Sequence, residues 1–526
     1  MIQINPVLCS ACGAALSYYC LFPLYRSGAI SIDGLLALFF IPVAFLCLLR
    51  VLETFPLRGE EKPEMNRQPL SPRRLRLVGF WTTAFTVGLA LGIAINTRIS
   101  DTVNFGIPEN TVRGISGTLL DDPRVISNSK ADSKADGRVM SALSLKMSMG
   151  NGGVMATANG QIIVFFPEEN AGRLKEFGRG TAVSAEGDLR APDGDTGGSG
   201  SNGFGNYTFT AKTLHITKAA SSLERFRTGL RLGLAERFTG SSRAGAWTGL
   251  ALALLLGIRD NLDTGFAALY RNAGCSYILA LSGMHLAIIV SLISFFLKKP
   301  LGLRPAAIAG AVIIIAYCFI VGPLPSLNRA ALMYLLGVAA IVGMLKRDIL
   351  SLLCMAFLIQ IAFSPASGFS LSFILSYLAL AGILVIGKAI NGAFLGKIPV
   401  LLLQPLSASL GAFIATAGVS AWFFNDLRPV GILAGLALAP LATVFMALSI
   451  AWLGLDFIFP FLSSLLGKVL FLLYRLMEKI AALAAIAPGI RANPFLVIIL
   501  SLLITVTILW LDRRRRIMAG RLEPFA

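Results

Sequence analysis

Apolar stretches of about 17 to 25 residues, the length that a helix needs to cross a bilayer, recur along most of the chain. Three lie near the N-terminus, and nine follow a long interruption. The predicted spans are residues 7–24, 30–51, 77–96, 275–297, 305–322, 328–345, 348–364, 369–388, 400–424, 429–455, 461–486 and 493–511. This pattern predicts a multi-pass α-helical membrane protein.

The interruption, residues 98–218, has a different pattern. Apolar or alternating runs rich in strand-forming residues occur five times, at Val112–Leu119, Met140–Met147, Gln161–Phe166, Thr181–Glu186 and Tyr207–Ile216. Five short strands in about 110 residues are typical of a small closed barrel such as an OB-fold. Two insertions rich in Gly, Ser and Asp, 128–136 and 191–205, are predicted to be flexible loops.

Two further patterns lie between the predicted barrel and the later spans. From Leu223 to Phe238, arginines accompany apolar residues at helical spacing, which predicts a basic amphipathic helix on the membrane surface. The apolar run 244–258 is too short for an easy crossing, and a full crossing would reverse the orientation of the loops that follow. We therefore predict a re-entrant or half-helix hairpin at 244–270, which is tolerated only when buried in protein or lining a cavity.

The composition excludes an ordinary soluble enzyme. Hydrophobic residues make up 55% of the 526 positions and charged residues only 14%, whereas about a quarter of the residues of a soluble protein are charged. The net charge of +18 suggests an anionic partner, either nucleic acid or lipid. The predicted barrel, however, has 13 basic and 13 acidic residues, and so lacks the basic excess of a typical nucleic-acid-binding domain.

The distribution of basic residues indicates orientation, because basic loops stay cytoplasmic. The arginine-rich linker 53–76 is predicted to lie inside, which places the barrel outside and the tail Arg513–Arg516 inside. Basic residues mark every second loop of the later spans, at Lys298, Lys299, Arg304, Lys346, Arg347, Lys388 and Lys397. We predict a plasma (inner) membrane protein with an extracytoplasmic barrel and a cytoplasmic C-terminus.

These patterns divide the chain into five parts. Residues 1–97 form N-terminal transmembrane helices, 98–218 the barrel, 219–243 the interfacial helix, 244–511 a second transmembrane domain and 512–526 a basic tail. The predicted fold class is a multi-pass α-helical membrane protein with an inserted extracytoplasmic OB-like β-barrel.

Polar residues in the apolar part of the chain are candidates for function, because they are costly to place in a membrane. The candidates are Arg259, Asp260, Asp263, Arg271, Ser276, Ser282, His285, Asn328, Arg329 and Arg428. On one apolar helix running from Ser276, Ser282 and His285 would share a face. They are either a nucleophile pair or polar groups that bond a neighbouring helix or line a path. Arg329 either binds a phosphate, or it extends its charged end to the membrane interface or pairs with Asp260 or Asp263.

Other signals are weaker or absent. The predicted span 461–486 has a charged stripe, which either lines a polar interior or lies flat at the interface, formed by Lys468, Arg475, Glu478 and Lys479. The chain lacks the phosphate-binding motif of ATPases, and its only two histidines, His215 and His285, are too few for a His-rich metal centre. We expect no ATPase motor, no metal and no cofactor.

Several segments resemble the ComEC DNA-uptake family. They are Leu254–Asp263 and Tyr270–Leu286, which contains Ser-Gly-Met-His, then Leu327–Met333 and Ser364–Phe373. The three leading spans and the OB-like domain are similar to the family's usual N-terminal architecture. The resemblance implies a plasma-membrane channel that passes one DNA strand into the cytoplasm during natural transformation.

The resemblance also carries expectations about partners. Many members have a C-terminal metallo-β-lactamase-like domain, for which this sequence lacks the histidines, so we expect the nuclease to be a separate protein. The expected partners are single-stranded DNA, membrane lipids, a separate DNA receptor and a cytoplasmic ATPase or helicase. No oligomeric state is predicted.

Our hypothesis is a single-stranded DNA translocation channel rather than an enzyme. Polar residues from 259 to 285 would line a hydrated path, and Arg259, Arg271 and Arg329 would offset phosphate charge. Two alternatives remain open. One is an intramembrane hydrolase that uses Ser282 and His285, and the other is a transporter of a different polyanion or of a lipid-linked substrate.

Overall fold

The structure is a computed structural model, and it describes residues 6–21, 83–94, 103–126, 138–167, 169, 178–190, 207–240, 245–281, 283–322, 324–345 and 348–522. The predicted span 30–51, the two predicted flexible loops and Ser282 lie outside these residues. The chain separates into two compact units, one of residues 1–99 with 339–368, and one of residues 100–338 with 369–526.

The described helices, in chain order, are α1 (Pro6–Leu16), α2 (Thr83–Ala94), α3 (Ser222–Gly240), α4 (Trp247–Leu256), α5 (Thr264–Asn272), α6 (Ser276–Leu279), α7 (Gly283–Leu301), α8 (Leu303–Val321), α9 (Pro325–Val342), α10 (Ile349–Phe363), α11 (Leu371–Phe394), α12 (Val400–Phe424), α13 (Val430–Ile458), α14 (Pro460–Ala485) and α15 (Pro494–Leu522). Six of them, α8, α9, α11, α12, α13 and α15, are long and apolar enough to cross a membrane. The chain is a multi-pass helical membrane protein.

In the first unit, glycines let α1 and α2 approach each other closely. A side chain at Gly13 would stand 2.2 Å from the carbonyl oxygen of Phe85, and one at Gly88 would stand 1.9 Å from that of Ser10. The Ser10 hydroxyl also donates to the carbonyl of Ala84 at 2.8 Å. Small residues and hydroxyl groups at helix contacts are typical of helices that pack within membranes.

The barrel has five strands arranged in a closed ring. Strands β1 (Val112–Leu119), β3 (Arg138–Gly150), β5 (Gln161–Pro167), β7 (Thr208–Lys218) and β6 (Ala182–Arg190) pair in that order, and β6 returns to β1. Only β5 and β7 of this ring run parallel. The five predicted strands and the OB-like barrel are therefore confirmed.

Alternation along the strands produces the barrel core. Val139, Leu143, Val164, Phe166 and Phe209 point inward and are at most 1% exposed, because successive side chains of a strand face opposite sides of the sheet. Two three-residue strands that were not predicted, β2 (Arg124–Ile126) and β4 (Met155–Thr157), pair with β3.

An aromatic cluster joins α3 and α4 to the long helix α13. The rings of Phe238 and Trp452 stack with their centroids 5.1 Å apart, and Trp247 meets Trp452 edge to face at 5.2 Å. All three side chains are at most 1% exposed. Packing of this kind stabilises the pair by more than the buried area alone, so it fixes α4, all ten residues of which are buried.

One predicted helix is broken. A continuous helix from Ser276 through His285 was predicted, but α6 ends after one turn at Leu279 and α7 begins at Gly283. Ala280 has extended backbone angles, with φ −82° and ψ 133°. The prediction was wrong because the apolar run continues through the break and hides it.

Two further segments differ in detail from the predictions. The charged residues Lys468, Arg475 and Lys479 of α14 lie on its exposed side, and its buried side is apolar, so within the described structure the stripe does not line a polar interior. The predicted boundary at residue 512 falls inside α15, which continues to Leu522.

Gly249 of α4 provides a test of the packing around this short helix. A Cβ atom there would stand 2.0 Å from the carbonyl oxygen of Asn261, so no side chain fits without moving the backbone. We expect Gly249→Ala to lower the unfolding temperature of the detergent-solubilised protein. The matched control is Gly229→Ala in α3, where nothing lies within 4 Å; it should be neutral or stabilising, because Ala favours a helix over Gly by about 1 kcal/mol.

Candidate functional site

The break between α6 and α7 exposes carbonyl groups that a continuous helix would satisfy internally. Side chains from elsewhere take them up. The Arg259 guanidinium donates from Nη2 to the carbonyl of Leu279 at 3.1 Å, and the Ser326 hydroxyl donates to that of Leu281 at 2.6 Å. Irregular backbone at membrane depth requires such partners, so Arg259 has a structural contact in addition to its predicted role.

The segment between α4 and α5 folds back as a compact turn. Gly257 ends α4 in the left-handed conformation, with φ 70°. Asp263 is the N-cap of α5, where its carboxylate accepts from the backbone N–H of Gly265 at 2.8 Å. A capping carboxylate of this kind stabilises a helix start, so Asp263 acts here in local structure.

Arg329 lies in the second turn of α9 and is only 8% exposed. Its Nη1 donates to the carbonyl of Ser376 in α11, and its guanidinium lies 5.7 Å from the centre of the Tyr377 ring. Among the described residues it has no carboxylate partner, so the predicted pairing with Asp260 or Asp263 is not present. One neutral carbonyl and one ring leave the buried charge only partly compensated.

The other edge of the Arg329 guanidinium lies beside the start of α7. Nε is buried and has no hydrogen-bond partner among the described residues. A Cβ atom placed on Gly283 would stand 3.6 Å from Nη2, and Gly283 itself has no side chain. Nε and Nη2 together form the side of a guanidinium that binds an oxyanion with two parallel hydrogen bonds. Arg329 thus presents a free bidentate edge next to the start of α7.

The remaining candidates do not gather at one point. His285 is fully buried, and Asn328 is half-buried beside Arg329. The exposed candidates lie around the ends of the short helices, and these are Arg259, Asp260, Arg271 and Ser276.

Arg428 holds together loops from several helices. Its Nε donates to Asp426 at 2.9 Å, and its Nη1 donates to the carbonyl of Asn272 at the end of α5, at 2.7 Å. Next to it lies an open polar pocket of about 470 Å³, lined by Phe424, Asn425, Asp426, Arg428, Gly489 and Arg491. One of the donors of Arg428 thus positions the α5 end, and a second holds Asp426.

Asp122 is the central residue of a junction that the sequence did not reveal. It lies in the loop after β1 and binds two arginines of α3: Arg227, whose Nη1 is 3.1 Å from Oδ2, and Arg231. Arg227 also donates to the carbonyl of Ile320 at the end of α8, and Arg231 to that of Leu256 at the end of α4, both at 3.3 Å. One carboxylate therefore connects the barrel to three helices.

This arrangement changes the interpretation of α3. The predicted amphipathic helix exists, and Leu223, Phe226 and Leu230 are exposed as an apolar stripe. The arginines, however, do not all face water or headgroups: Arg227 is 1% exposed and Arg231 only 17%. They turn toward the barrel because Asp122 provides the charge that allows them to be buried.

The electrostatics of Asp122 follow from this burial. Desolvation acts to raise the pKa of the Asp122 carboxyl, but the hydrogen bond from Arg227 and the charges of Arg231 and Arg227 outweigh it, and the pKa is lowered. Because the pKa is lower in the folded state, the ionised carboxylate stabilises the fold at pH values above its ordinary pKa of about 3.9. This stabilisation is lost as the pH falls from that value toward the lowered pKa.

Replacing Asp122 tests the junction. In Asp122→Asn, Arg227 stays buried without its main counter-charge, so we expect a loss of about 3 kcal/mol of stability, because breaking one side of a buried pair is costly. The wild-type protein should lose stability as the pH falls below about 4, and the variant should lack this part of the pH dependence. Thermal unfolding in detergent across pH measures both.

The control is Asp188→Asn, an exposed barrel aspartate that pairs with Lys212 and Arg113. Exposed pairs contribute little, so the unfolding temperature should barely change. Equal effects of the two substitutions would contradict a special role for Asp122.

Comparisons with known proteins agree with this architecture. Residues 254–514 match the family model described as Competence protein. The chain is 27% identical to an uncharacterized protein of Aquifex aeolicus (strain VF5) over 275 residues, and this alignment covers 51% of this chain and 64% of that protein. It is 30% identical to ComE operon protein 3 of Bacillus subtilis (strain 168) over 148 residues, and this alignment covers 27% of this chain and 19% of that protein. Each alignment spans less than two thirds of the relative. The chain belongs to the ComEC family of competence proteins.

Proposed function

We propose that this protein takes part in DNA uptake for competence, and that it conducts single-stranded DNA across the plasma (inner) membrane. The family supports the role in uptake. The observation that supports conduction is Arg329, a cation 8% exposed, with no carboxylate partner among the described residues and with a free Nε–Nη2 edge. A buried charge left in this state is costly unless an anion joins it at some stage of function.

The chemistry of this edge fits a phosphate group. A phosphodiester presents two oxygens to the Nε and Nη2 donors, while Nη1 stays bonded to Ser376 and keeps the guanidinium in place. A Cβ atom at Gly283 would already be in van der Waals contact with Nη2, at 3.6 Å, so a side chain at this position would crowd the edge. Contact with the backbone of the strand carries no base information, so a site of this kind suits transport of DNA of any sequence.

The proposed orientation has support from contacts within the second unit. Asp122 links the barrel to the C-terminal ends of α4 and α8, so these ends and the barrel share one side. Arg329, near the start of α9, bonds Ser376 near the start of α11, whereas Asp512 and Arg515 of α15 lie near Gly392, close to the opposite end of α11. Basic residues retained on the cytoplasmic side would then place the C-terminus inside and the barrel outside.

We infer that the DNA strand moves by guidance rather than by chemistry in this chain. Arg259, Arg271 and Arg428 lie toward the helix ends that we place outside and would offset phosphate charge there. The energy would come from a cytoplasmic ATPase or helicase, or from the membrane potential. A separate DNA receptor and a separate nuclease complete the proposed set of partners, with membrane lipids around the helices.

The two alternatives have distinct signatures. A Ser–His hydrolase would require Ser282 and His285 to act together, and a Ser282→Ala variant would lose all turnover. A transporter of another polyanion would use the same arginines but would not prefer DNA. The free arginine edge favours a phosphate-rich polymer over a single acyl-transfer step.

The test is transport by the full-length protein in liposomes with an imposed membrane potential, using a fluorescent oligothymidylate that is protected from added nuclease once inside. We expect Arg329→Gln to reduce entry about tenfold or more, since it removes the charge and the bidentate edge. Arg329→Lys should restore part of the rate, because it keeps the charge without the fork.

Arg475→Gln is the matched control, because Arg475 is exposed on α14 and pairs only with Glu478 among the described residues. It should leave entry unchanged. Normal entry with Arg329→Gln, in a variant whose unfolding temperature equals that of wild type, would refute the proposed role. Loss of entry with Ser282→Ala would favour the hydrolase.

A further inference from the structure

Five arginines from four separate segments meet where the barrel joins the membrane helices. We call them the junction cluster; they are Arg124 of β2, Arg179 of the turn before β6, Arg227 and Arg231 of α3, and Arg259 after α4. The chain path explains the convergence. Asp122 binds both arginines of α3 and the backbone N–H of Arg179, and Arg124 follows two residues later.

The membrane side of the cluster is fixed in the same way. Arg231 donates to the carbonyl of Leu256, the last residue of α4, and Arg259 follows three residues later, where it bonds Leu279. On the barrel side, Gly178 packs closely against α3 and Asp122: a Cβ atom there would stand 2.5 Å from Thr228 Oγ1 and 3.3 Å from Asp122 Oδ1. The turn that carries Arg179 therefore lies directly against α3.

The carboxylates nearby are too few to neutralise the cluster. Asp122 and Glu224 make ion pairs with its inner members, Arg227, Arg231 and Arg179. The preceding Asp121 turns away to Ser141 and to the backbone of Ala142. Asp260 adjoins Arg259 and is exposed. Among the described residues, even with Asp260 included, five positive charges face three negative ones.

The two outer members have exposed side chains. Arg124 is exposed and makes no ion pair among the described residues, and Arg259 makes only its bond to Leu279. Arg231 bonds both Asp122 and the carbonyl of Leu256; Arg124 follows Asp122 by two residues and Arg259 follows Leu256 by three, so the chain brings both outer arginines to the neighbourhood of Arg231. Burial lowers the pKa of Arg231, and the neighbouring charges of Arg227 and Arg124 lower it further against the pull of Asp122. The fold thus holds like charges together.

This concentration of charge was hidden in the sequence. The segment 98–218 has as many acidic as basic residues, yet its Arg124 and Arg179 join the arginines of the next segments. A local positive site of this kind attracts a polyanion even when the domain as a whole is neutral.

The junction cluster faces the barrel rather than the membrane surface, and this favours a strand of nucleic acid over lipid as its ligand. The apolar stripe of α3, formed by Leu223, Phe226 and Leu230, is exposed and suited to a lipid surface. Arg227 and Arg231 lie roughly a quarter turn further around this helix and face the barrel. Lipid would therefore meet the apolar stripe, which leaves the arginine side to a different anion.

We propose that the junction cluster binds consecutive phosphates of single-stranded DNA, with Arg124 and Arg259 in direct contact, and so receives the strand between the barrel and the membrane helices. The inner arginines and Asp122 hold these two in place. The proposal rests on the proposed function, and it adds an entry site that uses the β1–β2 loop rather than the face of the barrel.

The test is binding of a fluorescein-labelled oligothymidylate to the full-length protein in phosphatidylcholine nanodiscs, measured as a function of salt. For Arg124→Gln with Arg259→Gln we expect affinity to fall about tenfold or more at low salt. The slope of log affinity against log salt should become shallower by about 1.4, since each lost contact with a single strand removes about 0.7.

Two controls keep the result interpretable. Arg113→Gln with Lys212→Gln removes two exposed charges from the barrel at a different place, beside Asp188, and should leave the salt slope unchanged. Arg124→Gln alone breaks no contact among the described residues, so it should keep the unfolding temperature and lower the slope by about 0.7.

An unchanged slope in the double variant would overturn the proposal, as would a loss of binding in the barrel control alone. DNA binding that is insensitive to both variants, together with weaker retention of phosphatidylglycerol by the double variant, would assign the cluster to lipid headgroups instead. Failure of this entry-site proposal can be distinguished from failure of the proposed function. If only the entry site is wrong, DNA entry into liposomes still depends on Arg329. If the proposed function is wrong, no DNA enters the liposomes at all.

Discussion

Main-chain carbonyl groups at the ends of short and broken helices need donors where water is scarce, and the fold depends on supplying them. Among the described residues, arginine supplies them in four places, where a guanidinium donates to a carbonyl in the last turn of a helix. The pairs are Arg231 with Leu256, Arg428 with Asn272, Arg259 with Leu279 and Arg227 with Ile320. A cation at this end also interacts favourably with the helix dipole. The same residues thus fix the interrupted helices and concentrate positive charge at the helix ends.

These arginines differ in how much of their donor capacity remains. Arg227 and Arg428 are bound to carboxylates as well as to carbonyls, so they belong mainly to the structure. Arg329 bonds one carbonyl and keeps a free edge. Burial of a charge without a carboxylate is tolerated in a protein when function requires it. The distribution of free donors, rather than the total charge, therefore separates arginines that are available to bind an anion from those that hold the fold.

Periodicity in the sequence predicted the barrel strands and most of the long helices correctly, because both depend on which positions are apolar. It did not predict the break between α6 and α7, since Ala280 and Leu281 are as apolar as the helices beside them. The junction at Asp122 was also invisible: Arg227 lies 105 residues away along the chain, and only the fold brings them together. The sequence identified the candidate arginines as unusual for an apolar region, but their partners are set by tertiary contacts that no local pattern contains.

Ring closure of the barrel has a consequence for what this domain can recognise. Because β1 pairs with both β3 and β6, the ring of five principal strands closes, but β5 and β7 pair only over Ile163–Phe165 and Thr208–Thr210. In the described part of the barrel, the rest of β7, as far as Lys218, pairs with β6 alone. A partner peptide would find a template for extending the sheet along this one-sided stretch of β7. Where the ring is paired on both sides, recognition falls to side chains and loops, so the barrel offers two different modes of binding at different places on one small domain.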